Sequence, residues 1–367
     1  MPHLLYPTLM ISVVVGTRPE IIKMAPIILE LKDREFEFRI VHTGQHYDLE
    51  LSEVFFQELG LPPADKLLEV GSGSQAYQTA TSLIGLEETF LEEKPGLILV
   101  EGDTNTVLAG ALAGAKLGID VGHVEAGLRS HDLRMPEEHN RRLTDHLSRL
   151  LFAPTERSAS NLNKEAVWGE IFVTGNTVID ACVSYLPLAS KKSTILDSVE
   201  YDEFALATAH RAENVDDPAV LRKIVKILTN CPVPVVYPLH PRTKNRLREQ
   251  SLFEDLSGSK NVQITPPVGY FDFLVLMKNC RFILTDSGGI QEEATAPNIR
   301  KKVFVLRLST ERPEAVEAGF SEVVGLEPHS VLESIGSHLK KDEELGESPY
   351  GIGESGKGIV DILDSRG

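Results

Sequence analysis

Residues 119–150 read IDVGHVEAGLRSHDLRMPEEHNRRLTDHLSRL, and their reading decides the fold. They begin as a short apolar strand that stops at Glu125. A charged loop holding Gly127 follows, and the chain restarts as a helix at Pro136. Proline suits the first helical position because its missing N–H would have no partner there. Glu137 and Glu138 then fall in the first turn, where the macrodipole favours negative charge. Strand, polar turn and helix form the unit of an α/β sheet. Within it, Glu125 at a strand end and Glu137 at a helix start occupy different environments, which is how a protein separates an acid from a base. The glutamate pair also reads as an ordinary helix-start signal.

The unit repeats upstream. Residues 10–15 (MISVVV) are apolar, as in a central parallel strand, and run into GTRPEIIKMAPIILELK. Gly16 permits a sharp turn, Pro19 opens a helix, and Ile22, Ala25, Pro26 and Leu29 fit one buried face. Arg18 sits at a strand-to-helix junction beside free N–H groups, a place suited to an anion, with Lys23 just beyond. A solvated arginine at a turn is the other reading. One glycine is too few for a GxGxxG fingerprint. Residues 39–43 form a second strand, followed by GQHYD, where Gln45 and His46 either line a cleft or cap the next helix. His42 and His46 do not form an HExxH zinc motif. Residues 97–100 (LILV) form a third strand, ending in EGDTNTVLAGALAGAKLG, with Asp103 and Thr104 at its end. A strand-end Asp also serves as an ordinary helix cap.

This alternation predicts a doubly wound parallel sheet, in which ligands sit beyond the carboxyl ends of the strands. Arg18, Asp103 and Glu125 all map to that edge. Carboxylates gathered there repel, so at least one should hold its proton more tightly than usual, and an acid and a base can coexist near neutral pH.

Downstream, residues 150–155 and 171–174 read as the last strands of this sheet. Lost periodicity around Pro187 and residues 191–193 reads as a crossover. From Phe204 the alternation restarts: FALATA leads to HRAEN, VPVVYPL to HPRTK, RFILT to DSGGIQEEA, and KVFVLRL to STERPEAVEAG. Ser287, Gly288 and Gly289 sit between a buried strand and a helix, where paired glycines let phosphate oxygens approach backbone N–H groups. Gly pairs also mark plain turns. Glu293, one turn on, is placed to accept from ribose hydroxyls. Arg312 in ERPE echoes Arg18 in TRPE, and the two suit a diphosphate. His210 is a proton carrier, a phosphate donor or a structural histidine. In the tail, GIGESGK imitates a phosphate loop, but Gly358 follows in place of Ser or Thr and no apolar strand precedes it. It reads as a loop before a short helix at 359–363.

The chain has 367 residues, enough for two domains, and a formal net charge of −17, which argues against nucleic acid as the main partner. Its three cysteines are far apart in sequence, so a reduced cytoplasmic setting is expected, without a disulfide framework. No Lys or Arg precedes Arg18, unlike a signal peptide, and the apolar run 9–15 is too short to span a bilayer.

Taken together, GTRPEIIKMAP, EGDTNTVLAGALA, GHVEAGLRS, MPEEHNRRLTDHLS, FAPTE, VTGNTVIDA, HRAEN, DSGGIQEEA and TERPEAVEAG resemble the non-hydrolysing UDP-N-acetylglucosamine 2-epimerases over nearly the whole chain. HPRTK and PPVGY resemble archaeal members. The resemblance implies a glycosyltransferase-B-like fold, with two Rossmann-like domains facing a cleft. The first would span residues 1–178 with a C-terminal helix (352–367) returning to it, and the second residues 179–351. It implies exchange of UDP-GlcNAc and UDP-ManNAc through anti elimination of UDP, bound 2-acetamidoglucal and re-addition, without cofactor or metal. It implies a cytoplasmic homodimer that supplies activated ManNAc for surface polysaccharide or glycan synthesis. Asp103, Glu125 and Glu137 match the family's acids and bases, and His210 stands with the catalytic set. Arg18, Lys23, His210 and Arg312 match basic groups for the nucleotide. Phe273, Ser287, Gly288, Gly289 and Glu293 complete the expected substrate contacts. The chain departs from the bacterial pattern at Tyr47, where an Arg helps hold a second, activating UDP-GlcNAc, and at Val268. Leu308 stands where Asp is usual, and TAPNIRKK is an unusual loop. A glycosyltransferase of the same fold, which would need an acceptor, and a non-catalytic nucleotide-sugar-binding regulator are the alternatives.

Overall fold

The structure, a computed structural model, describes residues 10–44, 49–341 and 345–366, and the side chains of all of these except 49–53. Gln45, His46 and Tyr47, singled out above, lie outside the described residues. The chain divides into two compact units, Met1–Ala181 with Tyr350–Gly367, and Cys182–Pro349.

The first unit is built on seven parallel strands: β1 (Ile11–Val15), β2 (Phe38–His42), β3 (Lys66–Leu67), β4 (Leu97–Glu101), β5 (Asp120–Val124), β6 (Leu150–Ala153) and β7 (Glu170–Val173). Their order across the sheet is β3-β2-β1-β4-β5-β6-β7. The second unit has six: β8 (Ala205–Thr208), β9 (Val235–Pro238), β10 (Val262–Thr265), β11 (Ile283–Thr285), β12 (Val303–Val305) and β13 (Ser321–Val323), ordered β10-β9-β8-β11-β12-β13. Both sheets are doubly wound. Each reverses its strand order once, between β1 and β4 and between β8 and β11. In open α/β sheets, ligands bind beyond the carboxyl edge at such a point.

The apolar runs form the sheet centres as their patterns require. Every residue of β1 and β4 is buried. The helix Asn105–Leu117 lies so close to β4 and β5 that a Cβ on Gly114 would stand 2.8 Å from Ile98 Cδ1 and 2.8 Å from Val121 Cγ2.

Three expectations need correction. The buried face of the helix Arg18–Asp33 carries Ile21, Met24, Ala25, Ile28 and Leu31, whereas Ile22, Pro26 and Leu29 are half-buried. The cause is a second helix, Ser355–Asp364, on its outer side: a Cβ on Gly356 would lie 2.9 Å from Pro26 Cβ. This helix is longer than the 359–363 segment expected. The glycines of GIGESGK therefore serve packing and turning: Gly351 and Gly353 take φ of +103° and +98°, and the Gly356 N–H donates to Asp180 at 2.8 Å. Finally, Pro187 and Lys191 do not interrupt structure. They lie within the helix Thr177–Lys192, which also holds the division between the units. Among the described residues no helix is long and apolar enough to cross a membrane.

Candidate active site

At the reversal point of the first sheet, the turns after β1 and β4 nearly touch. A Cβ on Gly16 would lie 2.2 Å from Thr106 Oγ1 and 2.7 Å from Thr43 Oγ1, so only glycine lets the chain pass. Glu20, buried in the first turn of the next helix, accepts hydrogen bonds from the Gly16 N–H at 2.7 Å and the Thr17 hydroxyl at 2.9 Å. Burial outweighs those bonds and pushes its carboxyl up to about 7. Arg18 stands at this junction, exposed, with its guanidinium 5.9 Å from the Phe55 ring centroid.

Glu125 follows β5 directly and adopts a left-handed backbone with φ of +69°. A side chain with a Cβ pays roughly 1–2 kcal/mol for that conformation, and such strain concentrates at functional sites. Its Oε2 receives Lys23 Nζ at 2.5 Å and Asn176 Nδ2 at 2.9 Å. Lys23 Nζ also lies 3.1 Å from Glu101 Oε1, at the end of β4. Glu101 is 2% exposed, and burial drives its carboxyl well above the usual range despite Lys23, with Glu125 and Glu20 adding to the effect. Burial thus raises two carboxyls at this edge, Glu20 and Glu101, that the sequence reading did not single out.

Asp103 lies two residues past β4 and is half-exposed. Arg141 Nη2 pairs with its carboxylate, and Asn140 Nδ2 donates to its backbone carbonyl at 2.9 Å. Asp103 does not cap the next helix; Thr104 does, accepting from the Val107 N–H. Arg141 and Asn140 belong to the helix Pro136–Leu147, with Pro136 at its start as expected. The structure separates the glutamate pair there. Glu138 is fully buried and accepts from the Ser130 N–H at 2.8 Å, the Ser130 hydroxyl at 2.9 Å and Arg142 at 2.9 Å. Burial opposes its ionisation, but these donors and the Arg141 charge hold it below the usual range. Glu138 thus clamps the loop after Glu125. Glu137 is half-exposed and forms no ion pair among the described residues.

A second buried network anchors that loop. Asp145 meets His123 Nδ1 at 2.7 Å and accepts from Arg129 Nη2 at 2.7 Å, while His123 Nε2 lies 2.8 Å from the Gly102 carbonyl. His123 in β5 is thereby tied to the turn that carries Asp103.

In the second unit the reversal point brings the ends of β8 and β11 together. Asp286, fully buried after β11, accepts from the N–H groups of His210 and Arg211, both at 3.0 Å, and from Asn214 Nδ2 at 3.1 Å. One carboxylate thus shapes the whole HRAEN turn. The His210 ring stays exposed, 3.4 Å from Asp286 through Nδ1 and 6.3 Å from the His240 ring centroid. Ser287 begins the short helix Gly288–Glu293 without its hydroxyl capping it. A Cβ on Gly289 would meet nothing within 4 Å, and one on Gly288 would lie 3.7 Å from the Arg312 guanidinium. Arg312 is 8% exposed, and its Nε pairs with the buried Glu292. Beside it Arg307 grips Glu311 at 2.7 and 3.0 Å. Burial works against Glu311, but Arg307, Arg211 and Arg312 pull its carboxyl down to about 2. Phe273 and Glu293 are half-buried in the same unit, and the Glu293 charge bears on the Tyr270 hydroxyl, which burial raises well above its usual value. Leu308, the residue standing where Asp was expected, is 87% exposed on the loop after β12.

The structure thus unites Lys23 with Glu125, and Asp103 with the helix of Glu137, in the first unit. It gathers His210, Ser287, Gly288 and Arg312 around the Asp286 turn in the second. Sequence reasoning missed Glu20, Glu101, Asn176 and Arg141 in the first unit, and Asp286 and Glu292 in the second. The signals were present in TRPE, EGDT, GNT, NRR and DSGGIQEE, but each acid there reads equally as a helix-start charge. Among the described residues, no group of three or more His, Cys, Asp or Glu is arranged to hold a metal ion.

A family model described as UDP-N-acetylglucosamine 2-epimerase matches residues 29–364. The UDP-N-acetylglucosamine 2-epimerase of Methanocaldococcus jannaschii is 46% identical over 362 residues, spanning 96% of this chain and 98% of that one. A UDP-2,3-diacetamido-2,3-dideoxy-D-glucuronate 2-epimerase of Pseudomonas aeruginosa is 38% identical, spanning 96% of this chain and 99% of that one. The crystal structure of the M. jannaschii enzyme in complex with UDP-GlcNAc and UDP superposes with a TM-score of 0.89, covering 97% of this chain and 99% of that chain.

Proposed function

We propose that this chain, which belongs to the UDP-N-acetylglucosamine 2-epimerase family, interconverts UDP-GlcNAc and UDP-ManNAc without hydrolysing them. A carboxylate removes the proton from C2, the C1–O bond to UDP breaks, and the electron pair forms the C1=C2 bond of 2-acetamidoglucal. Reprotonation of C2 on the other face and return of UDP to C1 complete the inversion. The observation that carries this reading is the placement of Asp103 and Glu125 at the ends of adjacent strands, against different cations, Arg141 and Lys23. Two carboxylates held separately suit removal from one face and delivery to the other. Glu137, with no ion pair among the described residues, is the third candidate proton carrier.

Diphosphate departure needs fixed positive charge and N–H donors. Arg312, the Ser287–Gly288–Gly289 backbone and His210 are assigned that task in the second unit, and Arg18 and Lys23 in the first. Glu293 is assigned the ribose and Phe273 the substrate's apolar surface. A homodimer is proposed on the helix Gln75–Glu93, where Tyr77, Ile84 and Leu91 recur every seven residues, each more than half exposed. The buried Cys182, Cys231 and Cys280, which form no disulfide, suit a reducing cytoplasm, and an activated ManNAc product suits a glycan-building pathway.

Incubating UDP-GlcNAc with the protein in D₂O, without an acceptor, tests this. NMR should show UDP-ManNAc carrying deuterium at C2. A glycosyltransferase would leave C2 unexchanged, and a regulator would bind without turnover.

A further inference from the structure

We infer that Glu101 is a positioning residue for the reaction proposed above: it shares the Lys23 ammonium with Glu125 and thereby sets how readily Glu125 holds a proton. The inference rests on Glu125 being the proton-transferring group. Lys23 Nζ stands 2.5 Å from Glu125 Oε2 and 3.1 Å from Glu101 Oε1, and both carboxyl groups are buried. Two carboxylates beside one ammonium leave an uncompensated negative charge out of water, which is costly. The pair therefore keeps one proton between them and titrates as a unit.

The geometry says which partner keeps it. Glu125 has the shorter contact to Lys23 and a hydrogen bond from Asn176 Nδ2 at 2.9 Å. Oε1 of Glu101 is buried and, among the described residues, has only the longer, 3.1 Å approach of Lys23 Nζ. Burial also raises the Glu101 carboxyl, with the charges of Glu125 and Glu20 adding to it. The charged groups facing Glu101 are Lys23 and Glu20 from the helix Arg18–Asp33 and Glu125 from the end of β5. Asp103, two residues along, is turned to Arg141. A neutral Glu101 leaves Lys23 to the ionised Glu125, which is the form that accepts a proton from carbon. When Glu101 ionises, Lys23 is divided and the balance changes.

The test titrates the full-length protein carrying ¹³C-carboxyl glutamate, with the Glu125 resonance assigned from Glu125→Gln. In the wild type, Glu101 and Glu125 should titrate in two coupled steps. In Glu101→Gln, Glu125 should titrate once, its midpoint below the wild type's upper step by about 1 pH unit or more, the usual effect of removing a like charge. Because glutamine reproduces the neutral Glu101, the acid limb of kcat for UDP-GlcNAc should stay in place with KM unchanged, and any change in kcat tied to the upper step should disappear. An upper step that persists in the Glu125 titration of Glu101→Gln, or a uniform fall in kcat at every pH, would overturn the inference. If Glu101→Gln does not fold, Glu101→Asp draws the carboxylate back from Lys23 and should narrow the separation of the two steps; an unchanged separation also overturns it. Failure of C2 exchange in the wild type would instead sink the proposed function, while the titration still decides the coupling.

Discussion

Replacing Glu20 with Gln should stabilise the first unit, and by an amount that grows with pH. The substitution keeps the shape and the contacts: the amide oxygen accepts from the Gly16 N–H, and the amide nitrogen donates to a rotated Thr17 hydroxyl. Only the ionisation is lost. The Glu20 carboxyl has an ordinary value of 4.5 and is raised to about 7 in the fold. A folded state that holds the proton more tightly is favoured while the proton is on. This contribution is complete below pH 4.5 and is lost as pH rises through about 7. The interval corresponds to about 3 kcal/mol in full, and to roughly 2–3 kcal/mol between pH 5 and pH 8. Urea unfolding of wild type and variant at half-unit pH steps measures it. Trp168, the chain's one tryptophan, reports on the first unit, with its indole N–H on the His146 carbonyl. The stability difference should be small at pH 5 and widen steadily to pH 8. A difference that stays flat across this range would show that Glu20 ionises normally in the fold.

Glu125→Gln should bind UDP-GlcNAc by calorimetry yet lose turnover by about 10²–10⁴-fold, the usual worth of a placed acid or base; normal turnover would remove it from the reaction. Arg312→Ala should weaken UDP binding by about tenfold or more, as expected for lost charge-assisted hydrogen bonds. It should also destabilise the second unit by leaving Glu292 buried beside a lost cation, and adding Glu292→Gln should restore the melting temperature but not the affinity. Asp145→Asn should cost about 3–5 kcal/mol of unfolding free energy, because it breaks a fully buried ion pair with Arg129; a loss below 1 kcal/mol would mean that the loop is held elsewhere.

The central strands were legible because a parallel strand covered on both faces must be apolar along its whole length, as MISVVV and LILV are. The strands that escaped, β3, β10 and β13, all lie at sheet edges, where short half-covered segments carry no such run. Lys66–Leu67 and VQIT look like loop in the sequence. The helix start at Pro136 was legible from its proline and acids, but not the different fates of Glu137 and Glu138: which of two adjacent glutamates is buried depends on where Ser130 returns in space. Glu20 and Glu101 were passed over because a carboxylate in a helix's first turn, or closing a strand, ordinarily faces water. Their burial follows from the near contact of the turns after β1 and β4, which is a property of the sheet and not of either segment. The tail's imitation of a phosphate loop was set aside on sound grounds. Its use, letting the Gly356 backbone press against Pro26, needed the structure.

The helix Ser355–Asp364 completes the unit that the N-terminal strands begin. During synthesis, β1 to β7 leave the ribosome early but wait for the last helix while all of Cys182–Pro349 is made. The second unit is a single uninterrupted segment and can mature first. The half of the molecule translated first is therefore the half that finishes last, and until then the outer side of the helix Arg18–Asp33, Pro26 included, remains a greasy strip that chaperones can recognise.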